Sequence, residues 1–101
     1  MKVIDDNGVY QDFGFVGSKM EKHIVFYIEL YDESSAYYLA ARLQNEHWEI
    51  NLMPTGSCWI LLAHAVITPD HETISDLCEY LSDLSEFFGG SFKRWELDSH
   101  L

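Results

Sequence analysis

Histidine is the side chain best suited to acid–base chemistry near neutral pH, and this chain of 101 residues has five of them. They are scattered, at His23, His47, His64, His71 and His100. The sequence has no HExxH pair, no Gly-x-Ser-x-Gly elbow and no phosphate-binding loop. His64 lies in a predicted strand near Tyr27 of a neighbouring strand, and such a pair could transfer protons. A partly buried polar group explains His64 more simply, so we expect no catalytic residue and no enzymatic activity.

Cysteine chemistry is limited as well. The chain has two cysteines, Cys58 and Cys78, and no CxxC motif. Such a pair provides neither a zinc framework nor a disulfide-rich scaffold. Cys78 falls at a core position of a predicted helix, where a thiol packs as a small apolar group. We therefore expect no metal site and no cofactor.

The clearest charge pattern lies in the second predicted helix. Five carboxylates follow one another at intervals of 4, 3, 4 and 3 residues, and we call them the acidic stripe: Glu72, Asp76, Glu79, Asp83 and Glu86. No Lys or Arg occurs between Pro69 and Phe88. Like charges at this spacing cost about 0.2–0.5 kcal/mol each in an isolated helix. Either the stripe receives a basic segment of a partner, whose encounter it would accelerate, or it is the solvated face of an acidic protein.

The overall charge narrows the choice of partner. Seventeen acidic side chains stand against six basic ones, which gives a net charge of −11. Such a field repels phosphate backbones, and nucleic-acid binding relies on Lys and Arg. We therefore expect no direct contact with DNA or RNA, and a protein partner that is basic.

Cellular location follows from the apolar segments. The first residues, MKVIDDNG, contain no apolar stretch of signal-peptide length. The longest apolar run, residues 59–67 with His64 inside it, is too short to span a bilayer. The expectation is a cytoplasmic protein without a membrane segment.

The order of elements predicts the fold. Residues 1–18 read as an N-terminal arm, and residues 19–101 as one domain. Within that domain, period-two and helical patterns alternate as β-α-β-β-α-β, with strands near residues 23–31, 47–53, 58–67 and 91–98. Thr68 and Pro69 would open the second helix, and Gly89-Gly90 would end it. This order is typical of an α+β, ferredoxin-like sandwich, with a four-stranded antiparallel sheet in the order 4-1-3-2 and both helices on one face.

The other face of that sheet would be partly apolar. We expect it to carry Tyr27, Tyr31, His64 and Arg94, with Phe92 beside Arg94. A surface of this kind does not stay uncovered in water. Either the N-terminal arm covers it, with Tyr10, Phe13 and Phe15, or it forms a homodimer or partner surface. In a third possibility this face binds a small ligand or substrate.

Three segments resemble a known family. They are GSKMEKHIVFYI, ESSAYYLAARLQNEHWEI and FFGGSFKRWELD, within residues 17–98. The chain is similar to the regulators of ribonuclease activity B, the RraB-type protein inhibitors of ribonuclease E. The first segment is similar to the family's Ser-Lys pair before an aromatic-rich strand. The second is similar to its alanine-rich helix running into a Gly-aromatic-Glu-Val strand, with His47-Trp48 at the Gly-aromatic pair.

The third segment is similar to the family's closing motif, GG-x-Y-D-G-W. Gly89, Gly90, Phe92 and Trp95 keep its frame, while Lys93-Arg94 stand in place of Asp-Gly. The resemblance implies a ferredoxin-like fold and a non-enzymatic regulator that binds and inhibits or modulates a ribonuclease by protein–protein contact. An immunity-type protein that neutralises a basic toxin would have the same size and charge, and stays an alternative.

Overall fold

A computed structural model describes residues 21–98, so the arm predicted over residues 1–18 and its proposed cover of the sheet lie outside the described residues. The elements are β1 (Lys22–Leu30), α1 (Glu33–Asn45), β2 (Glu49–Thr55), β3 (Cys58–Ile67), α2 (His71–Phe87) and β4 (Ser91–Leu97). The four strands form one antiparallel sheet in the order β2-β3-β1-β4. The predicted α+β, ferredoxin-like architecture with strand order 4-1-3-2 is confirmed.

The core lies between the helices and one face of the sheet. Alternate residues of β1 are fully buried, from Ile24 through Phe26 and Ile28 to Leu30. They join one apolar cluster with the buried stripes of both helices: Ala36, Leu39, Ala40 and Leu43 from α1, and Ile74, Leu81 and Leu84 from α2. A strand turns successive side chains to opposite faces, so both helices cover the same side of the sheet and neither covers its other side.

Local signals set both ends of α1. Asp32 is the N-cap, and its carboxylate accepts a hydrogen bond from the Ser35 backbone N–H at 3.2 Å. At the other end, His47 N–H donates to the Gln44 carbonyl at 3.0 Å and Trp48 N–H to the Leu43 carbonyl at 3.0 Å. This pair of bonds is a Schellman motif, which needs a residue of positive φ after the cap. His47 takes that conformation, with φ of 73°.

His47→Gly is expected to raise the free energy of unfolding by about 1 kcal/mol, because an L side chain is strained at this φ and glycine is not. Urea unfolding followed by circular dichroism measures the change. Ala41→Gly, at an exposed position inside the same helix, is the matched control and should lose about 1 kcal/mol. A loss in both variants would contradict the assigned role of position 47.

The start of α2 differs from its prediction. Thr68 and Pro69 do not open the helix, because Asp70 is its N-cap and His71 its first residue. The Asp70 carboxylate accepts from the Thr73 backbone N–H at 2.9 Å and from the Thr73 hydroxyl at 2.8 Å. The backbone hydrogen bond from Thr73 lowers the pKa of Asp70. Aspartate is a stronger N-cap than threonine, which explains why the helix begins after Asp70 and not after Thr68.

The end of α2 confirms the role of the glycine pair. Phe88 is the C-cap, Gly89 has φ of 81°, and Gly90 N–H donates to the Ser85 carbonyl at 2.8 Å. Both helices therefore end in the same type of motif. Gly90 also lies against β1, where a β-carbon would collide with the Glu29 carbonyl oxygen.

A β-bulge changes the orientation of part of β4. Tyr27 pairs with Arg94, but the next β1 residue, Ile28, pairs with Phe92, so Lys93 is the extra residue. Phe92 consequently packs against the core, with its ring centroid 6.3 Å from that of Phe26. The expectation that Phe92 shares the open face with Arg94 is wrong, since simple alternation fails across a bulge.

Candidate protein-binding surface

The acidic stripe lies on the outer side of α2. All five of its carboxylate side chains are exposed, while Ile74, Leu81 and Leu84 are buried on the opposite side of the helix. The hydrophobic stripe of α2 fixes this orientation, because packing it against the sheet turns the remaining face outward. The predicted acidic residues are thus brought together on one accessible surface.

No cation of the described chain neutralises this surface. Residues 21–98 contain four basic side chains, and the three that form ion pairs do so elsewhere. Arg42 pairs with Glu46 at 2.9 Å, Lys93 with Glu29 at 3.8 Å and Arg94 with Glu96 at 2.7 Å. Within residues 21–98 the acidic stripe takes part in no ion pair. Its negative potential is therefore available to a binding partner.

A shallow groove runs beside the stripe, between α1 and α2. It has a volume of about 330 Å³ and is lined by Arg42, Tyr80, Asp83, Leu84 and Phe87. The Phe87 side chain is 79% exposed, although Leu84 beneath the groove is buried. Sequence reasoning did not find this groove, because Phe87 lies next to the predicted core residue Phe88 and reads as part of the same apolar run.

The carboxylate of Glu46, the C-cap of α1, holds one wall of the groove. Glu46 accepts a hydrogen bond from the Tyr80 hydroxyl at 2.6 Å and another from Arg42 Nε at 2.9 Å. The Tyr80 hydrogen bond, with a further contribution from Arg42, lowers the pKa of Glu46. Burial, followed by the bond to Glu46, raises the pKa of Tyr80. This wall consequently keeps its ionisation state, with Glu46 and Arg42 charged and Tyr80 neutral, at physiological pH.

A second cavity, of about 500 Å³, lies between α1 and the edge strand β2. Its lining is mostly apolar and consists of Tyr37, Tyr38, Ala40, Ala41, Gln44, Ile50 and Leu52. These two cavities are therefore both on the helical side of the molecule. Neither adjoins the open face that was predicted around His64.

The open sheet face carries a row of polar side chains that crosses β2, β3 and β1 and ends at Asp98, just after β4. His64 on β3 lies 2.7 Å through Nε2 from Asn51 Oδ1 on β2, and 2.8 Å through Nδ1 from His23 Nε2 on β1. An amide oxygen can only accept, so His64 donates from Nε2 to Asn51. Asp98 Oδ2, just after β4, lies 3.0 Å from His23 Nδ1, although the two groups lack the alignment of a hydrogen bond. The row gives His64 two polar partners, as a structural role requires.

The other predicted open-face residues form separate groups. Arg94 lies 4.0 Å above the Tyr27 ring and donates to Glu96, which also accepts from the Tyr27 hydroxyl at 3.1 Å. Burial, then the bond to Glu96, raises the pKa of Tyr27. Tyr31 donates to Glu29 at 3.1 Å at the far end of the sheet. Tyr27 and Arg94 therefore meet, whereas His64 and Tyr31 lie in different hydrogen-bonded groups.

The hydrogen bonds therefore do not assemble the predicted His–Tyr pair. Tyr27 lies opposite Leu62 and His64 opposite Val25, and each side chain has other partners. Sequence reasoning did not identify His23 and Asn51 as partners of His64, or Asp98 as a neighbour of His23, because these residues are far apart in the chain. Only the register of three strand pairs aligns them.

Neither the thiol of Cys78 nor the possible metal ligands of residues 21–98 form a reactive site. Burial raises the pKa of Cys78 to about 11, so its thiol stays protonated at neutral pH and is a poor nucleophile. No group of three or more His, Cys, Asp or Glu side chains in residues 21–98 is arranged to hold a metal ion. Across the same range, no helix is long and apolar enough to cross a membrane.

Comparisons of the chain with protein-family models, with curated proteins and with solved structures found no match. Inferences about function therefore rest on the fold and the surfaces described above.

Proposed function

We propose that this protein is a non-enzymatic cytoplasmic regulator that binds a basic segment of a partner protein through the acidic stripe of α2. The observation that carries the proposal is a row of five exposed carboxylates with no ion pair among residues 21–98. A surface kept only for solubility normally mixes the two signs of charge. Repulsion along the row is relieved when a partner brings cations to it.

The partner we propose is a ribonuclease of the ribonuclease E type, whose activity the protein inhibits or modulates. The resemblance to RraB-type inhibitors leads to this choice, and one structural detail supports it. His47, at the family's glycine position, has positive φ, the conformation that glycine takes most easily.

Charge reversal of the stripe tests this proposal. Glu79→Lys combined with Asp83→Lys should weaken binding to the purified ribonuclease about tenfold or more, since opposing charges at an interface become like charges. Titration calorimetry at two salt concentrations measures binding, and cleavage of a fluorescent RNA by the ribonuclease measures inhibition. The wild-type complex should weaken steeply with salt.

The matched control is Glu21→Lys combined with Glu49→Lys, which makes the same change in net charge at exposed positions outside the stripe. The control should keep most of the affinity. Equal losses of affinity in both double variants would mean that the net charge alone affects binding, and would contradict the role of the stripe. Absence of any complex with the ribonuclease, together with tight binding to a basic toxin, would favour the immunity-type alternative.

A further inference from the structure

We infer that the groove between α1 and α2 receives an apolar side chain of an amphipathic basic helix, whose cations lie along the acidic stripe. This inference rests on the proposed function, because it describes the segment of the partner that the stripe would bind. It adds a requirement that charge alone does not impose: the partner segment must carry an apolar anchor beside its basic row.

An aromatic row lies next to the acidic stripe on α2. Tyr80 follows Asp76 by four residues, and Phe87 follows Asp83 by four residues. Residues at this spacing are neighbours on a helix surface, so each aromatic ring is adjacent to a carboxylate. Tyr80 and Phe87 both line the groove, which places the aromatic row on the side of the stripe that faces α1.

Phe87 is poorly suited to solvent. Its side chain is 79% exposed, and its ring meets that of Phe88 edge-on with centroids 5.3 Å apart. Phe88 itself packs against the core. The contact with Phe88 supports the Phe87 ring from below, and its outer face stays available. An exposed aromatic side chain held by a packed neighbour is typical of an anchor point at an interface.

The charge around the groove is negative despite Arg42. Glu46 holds the guanidinium of Arg42, and the hydrogen bond that Arg42 donates to this carboxylate raises the pKa of Arg42. Asp83 adds a second carboxylate at the groove. Two negative charges thus face one positive charge that is already paired, so an incoming cation is favoured over an anion.

The side-by-side arrangement of the two rows selects a helix as the occupant. An extended segment directs successive side chains to opposite faces, so it presents a single line of side chains to a surface. It therefore does not match two parallel rows, one acidic and one aromatic. A helix can carry the two kinds of side chain on adjacent faces, each recurring every three or four residues. The stripe runs over residues 72–86, and a partner helix of about 18 residues covers that length at 1.5 Å per residue.

Three synthetic peptides of about 18 residues test this inference with the full chain. The first is a helix with a Lys/Arg row beside a Leu/Phe row, the second replaces the apolar row with Ala, and the third scrambles the first. Fluorescence anisotropy measures their affinities. The first peptide should bind about tenfold more tightly than the other two, as expected for a buried apolar anchor.

Phe87→Ala should reduce the affinity of the first peptide to that of the Ala-row peptide and leave the other two unchanged. Tyr38→Ala is the control, since Tyr38 is a similarly exposed aromatic residue of α1, at 67%, that does not line this groove. Equal binding of the first two peptides, or full affinity of the first for the Phe87→Ala variant, would overturn the groove site.

The stripe itself is tested separately by the Glu79→Lys and Asp83→Lys double variant, which should weaken both basic helices. If that variant lowers the affinity of both but Phe87→Ala has no effect, the groove inference fails and the proposed function stands. If charge reversal leaves all three affinities unchanged, the proposed function fails and the groove inference fails with it.

Discussion

Phe26→Ala is expected to lower the free energy of unfolding by about 3–5 kcal/mol, the usual cost of removing a buried aromatic ring. Phe26 lies in the middle of β1 with none of its side chain exposed. Its ring meets Trp48 edge-on at 5.8 Å between centroids and lies 6.3 Å from Phe92. Three segments of the chain would thus lose packing at once, and the cavity left behind adds to the lost apolar transfer energy.

Urea unfolding, followed by tryptophan fluorescence, measures this loss. Phe87→Ala removes the same ring from a side chain that is 79% exposed and should change the stability by no more than about 0.5 kcal/mol. If Phe26→Ala prevents folding altogether, Phe26→Leu should still fold, with a loss of about 1.5 kcal/mol or less. Similar losses for the two alanine variants would contradict the placement of the core on the helical side of the sheet.

Gly90→Ala is expected to lower the free energy of unfolding by about 2–3 kcal/mol, at the upper end of the cost of overpacking. A β-carbon at this position would collide with the Glu29 carbonyl oxygen and lie 2.9 Å from a methyl group of Leu30. A backbone oxygen in a central strand cannot rotate away, so β4 or the end of α2 must shift. The acidic stripe and Phe87 belong to that helix, so the variant should also disturb the proposed binding surface.

Gly89→Ala provides the comparison. A β-carbon there meets no atom within 4 Å, but the residue has φ of 81°, which costs an L residue about 1–2 kcal/mol. Denaturant midpoints of the two variants rank these effects, and Gly90→Ala should be the more damaging. The reverse order would mean that the conformation of the helix end, and not its close approach to β1, makes the glycine pair necessary.

Much of the fold was predictable because its signals are local. The alternation within β1 placed Ile24, Phe26 and Ile28 on one face before any contact was known, and the helical spacing of α1 did the same for Ala36 and Leu39. The acidic stripe is local as well, since intervals of three and four residues fix which side chains share one side of a helix.

Other features depended on which strands pair. Lys93-Arg94 breaks the alternation of β4 between Phe92 and Trp95, but only the pairing with β1 shows that a bulge takes up the extra residue. Continuing the alternation of Trp95 and Leu97 through this break assigns Phe92 to the wrong face. The N-cap of α2 was misplaced for a different reason. Thr68 and Asp70 are both acceptable caps, and the chain adopts the one whose side chain accepts from Thr73.

By itself, the sequence determined the element order, the buried side of β1 and of both helices, and the outward position of five carboxylates. These depend on periodicity, which neighbouring residues specify. Only the tertiary structure decided that Lys93 pairs with Glu29, that His23 and His64 meet, and that α1 and α2 leave a groove under Phe87. Each of these is a contact between residues distant in sequence, and the strand register and the packing of the helices against the sheet bring them together.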